Sequence, residues 1–129
     1  MKLCMIGTGY VGLVSGACFS DLGNKVVCVD INKNKIDMLN SGIIPIYEPG
    51  LEELVKKNFN QKRLSFSTDI NLSILKSDVI FICVGTPTKK KSNMADLNYV
   101  YKAAKLIAKN INKYKIIVTK STVPVTTGD

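Results

Sequence analysis

Leu3-Cys4-Met5-Ile6-Gly7-Thr8-Gly9-Tyr10-Val11-Gly12 stands almost at the start of the chain. Its apolar run reads as a buried strand, and its glycines as the turn through which that strand enters a helix. Gly7 permits the tight turn, Gly9 lets the backbone approach a pyrophosphate, and Gly12 lets the helix pack closely on a sheet. The unpaired N–H groups and positive dipole end of that helix then face an anion. Glycines also serve ordinary turns, so the context decides. Outward from this stretch, Lys25-Val26-Val27-Cys28-Val29 is a second apolar run. It closes on Asp30, about twenty residues beyond the glycines, where an acid meets the hydroxyls of an adenosine ribose. Strand, glycines, helix and terminal acid coincide, and together they read as a dinucleotide site.

The rest of the chain alternates in the same way. Val11, Leu13, Val14, Ala17, Cys18 and Leu22 recur at helical spacing, with Gly23-Asn24 as a stop. Residues 34–39 form a short second helix with Ile36 and Leu39 inward, and 51–59 a third with Leu51, Leu54 and Val55 on one face. Leu64-Ser65-Phe66-Ser67 is a short strand, and Asp69 is the N-cap of the turn that follows. Val79-Ile80-Phe81-Ile82-Cys83-Val84 is apolar on both faces, as a central parallel strand covered by helices on each side must be. Residues 98–111 are helical, with Val100, Ala103, Ala104, Ile107, Ala108 and Ile111 as the stripe, and Ile116-Ile117-Val118-Thr119 is a fifth strand. Right-handed crossovers then give an α/β, doubly wound parallel sheet of order 3-2-1-4-5. It is truncated before a sixth strand. The expectation is one incomplete dinucleotide-binding domain over residues 1–129, the front part of a larger enzyme.

Composition excludes several classes. The 129 residues are 46% hydrophobic and 22% charged, enough for one core. No run approaches a membrane span and no signal-peptide pattern precedes Gly7, so a cytoplasmic protein without a membrane partner is expected. The net charge of +8 does not point to nucleic acid: seventeen of the eighteen basic residues are lysines, scattered over helix faces without interleaved aromatics. Only Lys89-Lys90-Lys91 forms a run, read as a solvated loop tip. Cys4, Cys18, Cys28 and Cys83 contain no C-x-x-C pair, and there is no histidine, so no metal is expected. Three of the four lie in apolar strand runs, which suits small buried thiols.

Four segments together resemble the UDP-glucose dehydrogenase branch of the UDP-glucose/GDP-mannose dehydrogenase family. They are Gly7 to Gly12, Ile44-Pro45-Ile46-Tyr47-Glu48-Pro49-Gly50-Leu51, Val84-Gly85-Thr86-Pro87-Thr88, and Lys120-Ser121-Thr122-Val123-Pro124-Val125. Their order and spacing match along the whole chain. The resemblance implies a Rossmann domain for NAD, and oxidation of the C6 alcohol of a nucleotide sugar to a carboxylate through two hydride transfers. It also implies a homo-oligomeric full-length enzyme supplying UDP-glucuronate.

Residue by residue, the resemblance places Gly7, Gly9, Tyr10, Val11 and Gly12 at the NAD pyrophosphate, and Asp30 and Lys35 at the adenosine ribose. Thr86 and Pro87, with Thr88 adjacent, lie at the carboxyl end of a central strand, where open parallel sheets bind ligands. Thr122 matches the family threonine that approaches the nicotinamide and orders water and oxygen at the reacting carbon. Each has a plainer reading: Lys35 as a solvated lysine, Thr86 to Thr88 as a strand-ending turn, and Thr122 as a helix cap. Tyr47 and Glu48 receive no chemistry. After Val125 the family has Gly-Thr where this chain has Thr126-Thr127. The family's catalytic cysteine, with its assisting lysine, asparagine and aspartate, belongs to a later domain, and Cys83 does not match its motif.

The alternatives are a dehydrogenase of GDP-mannose or of a UDP-N-acetylhexosamine, a non-enzymatic nucleotide sensor, and a 3-hydroxyacid dehydrogenase. The segments at Val84 to Thr88 and Lys120 to Val125 weigh against the last two.

Overall fold

Five strands lie side by side in one direction because a helix returns the chain to the same end of the sheet before each new strand. The structure is a computed structural model that describes residues 1–45, 48–83, 98–110 and 114–119. In chain order these hold β1 (Lys2–Ile6), α1 (Tyr10–Asp21), β2 (Lys25–Val29), α2 (Lys33–Asn40) and α3 (Leu51–Asn60). Then come β3 (Leu64–Ser67), α4 (Ile70–Lys76), β4 (Val79–Ile82), α5 (Asn98–Asn110) and β5 (Ile116–Thr119). The sheet order is β3-β2-β1-β4-β5, all parallel, as the alternation of the sequence predicts.

The strands alternate their side chains between two cores. Leu3, Met5, Val26, Cys28, Leu64, Phe66, Val79 and Phe81 face one side, where α1, α2 and α3 cover them with Leu13, Ala17, Ile36, Leu39, Leu51 and Val55. Cys4, Ile6, Val29, Ile80 and Ile82 face the other, covered by Ile74 of α4 and by Ala103 and Ile107 of α5. The chain therefore winds outward from β1 through β2 to β3 on one face, then returns to β4 beside β1 and winds on across the other. Its switch point is the pair β1–β4, where Ile6 is in register with Ile82. In such sheets ligands bind outside the carboxyl ends of the strands at the switch point.

Two helices differ from the expected stripe. In α1 the buried residues are Gly12, Leu13, Gly16, Ala17 and Ser20, whereas Val11, Cys18 and Leu22 are exposed. Small residues at positions 12, 16 and 20 let this helix lie close to the sheet, so its larger apolar side chains are not the ones that pack. In α5 Ala104 and Ala108 are exposed and Ala103 and Ile107 carry the contact. Helix α2 begins at Lys33, capped by Asn32, rather than at Asn34. Strand β4 ends at Ile82, and the expected positions Val84 and Ile111 lie outside the described residues. Among the described residues no helix is long and apolar enough to cross a membrane.

Candidate dinucleotide-binding site

At the carboxyl end of β1 the backbone turns at Gly7, whose φ of 110° is open to glycine and costly for other residues. The Gly7 N–H donates to the Val29 carbonyl at 2.8 Å, which ties the turn to the end of β2. Gly9 is the N-cap of α1, with an extended backbone at φ −76°. Its conformation is open to any residue, and a Cβ built there meets nothing within 4 Å. Gly12, one turn further, is enclosed: a Cβ there overlaps the Gly7 carbonyl oxygen and approaches Cys83 Cβ to 3.2 Å. Neither backbone conformation nor packing by the described residues accounts for glycine at position 9, which leaves room for a further group.

The start of α1 is also chemically open. No side chain caps it and its first turn holds no acid. Of α1 to α4, it alone has neither, since Asn32 caps α2, Asp69 caps α4 and Glu52 and Glu53 occupy the first turn of α3. Unpaired N–H groups and the positive dipole end therefore face outward beside Gly9, with Tyr10 and Val11 exposed around them. An anion placed here satisfies donors that the described residues leave unmet.

Asp30 follows β2 directly, beside the same turn. Its Oδ2 accepts the Thr8 N–H at 3.1 Å and the Thr8 hydroxyl at 2.7 Å, and its Oδ1 accepts the Asn32 N–H at 3.0 Å. Partial burial opposes ionisation. The hydrogen bonds from Asn32 and Thr8, with the charge of Lys35, outweigh it and hold the carboxyl below its ordinary value. Lys35 lies in the first turn of α2, exposed, with its backbone N–H donating to Asn32 Oδ1. One rim thus brings together Gly7, Gly9, Tyr10, Val11, Gly12, Asp30 and Lys35. Thr86, Pro87, Thr88, Thr122 and Tyr47 lie outside the described residues.

Two residues of this rim escape the sequence pattern. Neither Thr8 nor Asn32 carries a role in the sequence reading. The available signals were that Thr8 is the one polar side chain inside the motif, and that Asn32 precedes a helical run as a preferred cap.

Three of the four cysteines, Cys4, Cys28 and Cys83, serve packing, whereas Cys18 is exposed. Burial pushes the Cys4 thiol up to about 12 and raises that of Cys28 as well, so neither is a nucleophile at neutral pH. Cys83 is buried at the end of β4, its N–H bonded to the Ile6 carbonyl at 2.8 Å.

Residues 1–129 match the NAD binding domain of the UDP-glucose/GDP-mannose dehydrogenase family. The chain belongs to this family. It is 59% identical over 127 residues to the UDP-glucose 6-dehydrogenase TuaD of Bacillus subtilis, covering 98% of this chain and 27% of that relative. Among solved structures, a UDP-glucose dehydrogenase from Pyrobaculum islandicum superposes with a TM-score of 0.91 at 39% identity, over 98% of this chain and 30% of that one. A ternary complex of GDP-mannose dehydrogenase from Pseudomonas aeruginosa gives 0.91 at 41% identity, over 100% and 30%. The chain therefore spans under a third of the length of these family members. The open cradle at Gly9 and the uncapped α1 are the features that suit the NAD of the family's domain.

Proposed function

We propose that the chain is the NAD-binding part of a nucleotide-sugar dehydrogenase that oxidises the C6 alcohol of UDP-glucose to the carboxylate of UDP-glucuronate with two NAD. The observation that carries this reading is Gly9, a glycine that neither its backbone nor its neighbours require, seated at an uncapped helix start. NAD, when bound, supplies the hydride acceptor. The N–H groups at the start of α1 hold its pyrophosphate, the glycine leaves space for it, and Asp30 with Lys35 meets the adenosine ribose. Thr86 and Pro87 follow β4 in sequence and are assigned to the cofactor, and Thr122 follows β5 in sequence and is assigned to the nicotinamide, a hydroxyl that can donate or accept as charge develops at the reacting carbon. The identity to a UDP-glucose 6-dehydrogenase favours that sugar over GDP-mannose.

On this reading residues 1–129 belong to the dinucleotide-binding domain of a cytoplasmic, homo-oligomeric enzyme. The rest of that enzyme supplies the second wall of the sugar site and the cysteine nucleophile that carries the aldehyde to the acid. Hydride transfer needs the C6 atom within about 3 to 3.5 Å of the nicotinamide, and such positioning is worth roughly 7 to 11 kcal/mol. The isolated chain is therefore expected to bind NAD in preference to NADP and to form no NADH from UDP-glucose. Calorimetry with both cofactors and an absorbance assay with the sugar test this. Turnover by residues 1–129 that Cys83→Ser abolishes overturns the reading, as does equal or tighter NADP binding.

A further inference from the structure

Asp30 is already engaged before any ribose reaches it. An ionised carboxylate offers about four acceptor positions. Three are taken: Thr8 gives both its N–H and its O–H to Oδ2, and Asn32 gives its N–H to Oδ1. The register of β1 on β2 makes this possible, because Ile6 pairs with Val29 and the Gly7 turn then swings Thr8 against the residue that follows β2. Thr8 is only 2% exposed, and as a β-branched residue it has a stiff χ1, so its hydroxyl is a fixed donor.

We propose that Thr8 is a positioning and specificity-determining residue: by holding Oδ2 with two donors it fixes the Asp30 carboxylate and leaves Oδ1 as the oxygen that receives the ribose. The proposal rests on Asp30 being the ribose contact. A carboxylate fixed in this way carries full charge and no donor toward the 2′ position, so a phosphate there meets repulsion without compensation. Without the hydroxyl, Asp30 gains freedom to turn aside, which weakens the ribose contact and relieves the penalty against a 2′-phosphate. Charge-assisted hydrogen bonds of this length are the strong ones, so the hydroxyl is not interchangeable with water.

The test compares the protein with Thr8→Val, Thr8→Ser and Asp30→Ala by calorimetric titration of NAD and NADP, with unfolding curves for each variant. Valine keeps the shape of threonine and removes only the hydroxyl. Thr8→Val is expected to weaken NAD about tenfold and to narrow the NAD/NADP preference by a similar factor, and Thr8→Ser to restore both. A pH series supplies a readout that simple loosening does not move. The charged group facing Asp30 among the described residues is Lys35 on α2, whereas the loop after β1 brings Thr8 and the end of β3 brings only the Ser67 carbonyl. With Lys35 unchanged, loss of the Thr8 hydroxyl removes a hydrogen bond to the charged form, so the acid-side loss of NAD binding moves to higher pH. Should Thr8→Val not fold, Thr8→Ala provides the same comparison. If a folded hydroxyl-less variant binds NAD within twofold of the parent with an unchanged preference, while Asp30→Ala loses NAD, the role of Thr8 is refuted and the ribose contact stands. If Asp30→Ala binds NAD as the parent does, both fail.

Discussion

The start of α1 and its body use the same residue type in opposite surroundings. At the start, Gly9 has an extended backbone and open space where its side chain would be. In the body, Gly12 is pressed on the carbonyl of Gly7, and a Cβ at Gly16 would lie 2.7 Å from Cys28 Sγ and 3.4 Å from Met5 Cγ. The comparison separates two reasons for a missing side chain. A glycine that close packing requires is enclosed by the fold, as Gly12 and Gly16 are. Gly9 faces nothing that the described residues supply, which is the setting a bound group would explain. The body brings the helix close to the sheet, and that closeness puts its open end beside Asp30.

Filling the open position is the largest expected effect, and it falls on binding alone. Gly9→Val places a branched side chain where the proposed function puts the pyrophosphate, and NAD affinity is expected to drop by ~100-fold or more. Stability changes by no more than about 1 kcal/mol, the difference between glycine and valine at an N-cap. Calorimetry and denaturant unfolding on one sample read both numbers. A folded Gly9→Val protein that binds NAD normally removes the distinction between the two glycines.

Filling the enclosed position reverses the pattern. Gly12→Ala gains roughly 1 kcal/mol of helix propensity. The added methyl meets a backbone carbonyl that moves only with the turn itself, and overpacking of this kind costs about 1 to 3 kcal/mol. We expect a net loss of stability in urea unfolding, with weaker NAD binding as a consequence of the displaced turn. Gly16→Ala is the milder companion because its nearest neighbour is a side chain, Cys28 Sγ. Equal stability of Gly12→Ala and the parent would contradict the enclosed geometry.

The same contrast explains what was legible in the sequence. Central parallel strands are apolar on both faces, so β1, β2 and β4 announce themselves as runs, and the order of the sheet follows from strict strand–helix alternation. The position of the glycine turn followed too, because it sits between a strand and a helix. The buried face of α1 did not. Periodicity weights large apolar residues, and here Val11, Cys18 and Leu22 point outward while Gly12, Gly16 and Ser20 make the approach. The bond between Thr8 and Asp30 was hidden for a different reason. It joins residues 22 apart through strand register, and no local pattern encodes register.

The smallest expected effect lies at the far end of α1, where the helix meets α3 through exposed charges instead of packed glycines. Asp21 Oδ1 accepts Lys57 Nζ at 3.0 Å and Asn58 Nδ2 at 3.3 Å. The lysine and aspartate side chains are 54% and 36% exposed, so water and salt screen their attraction. The hydrogen bonds from Lys57 and then Asn58 hold the Asp21 carboxyl below its ordinary value. A carboxyl lowered by folding contributes stability above its unfolded value and loses it as pH falls through the lowered folded value. At neutral pH the contribution is present, and it disappears only at the acid edge of the carboxylate range. Lys57→Met is therefore expected to cost less stability than Gly12→Ala, to flatten the acid limb of the unfolding curve, and to lose most of its effect in high salt. Unfolding measured over a pH series at two salt concentrations decides this. If Lys57→Met destabilises the chain more than Gly12→Ala does, α1 is held at its charged end and not by the close approach of its body.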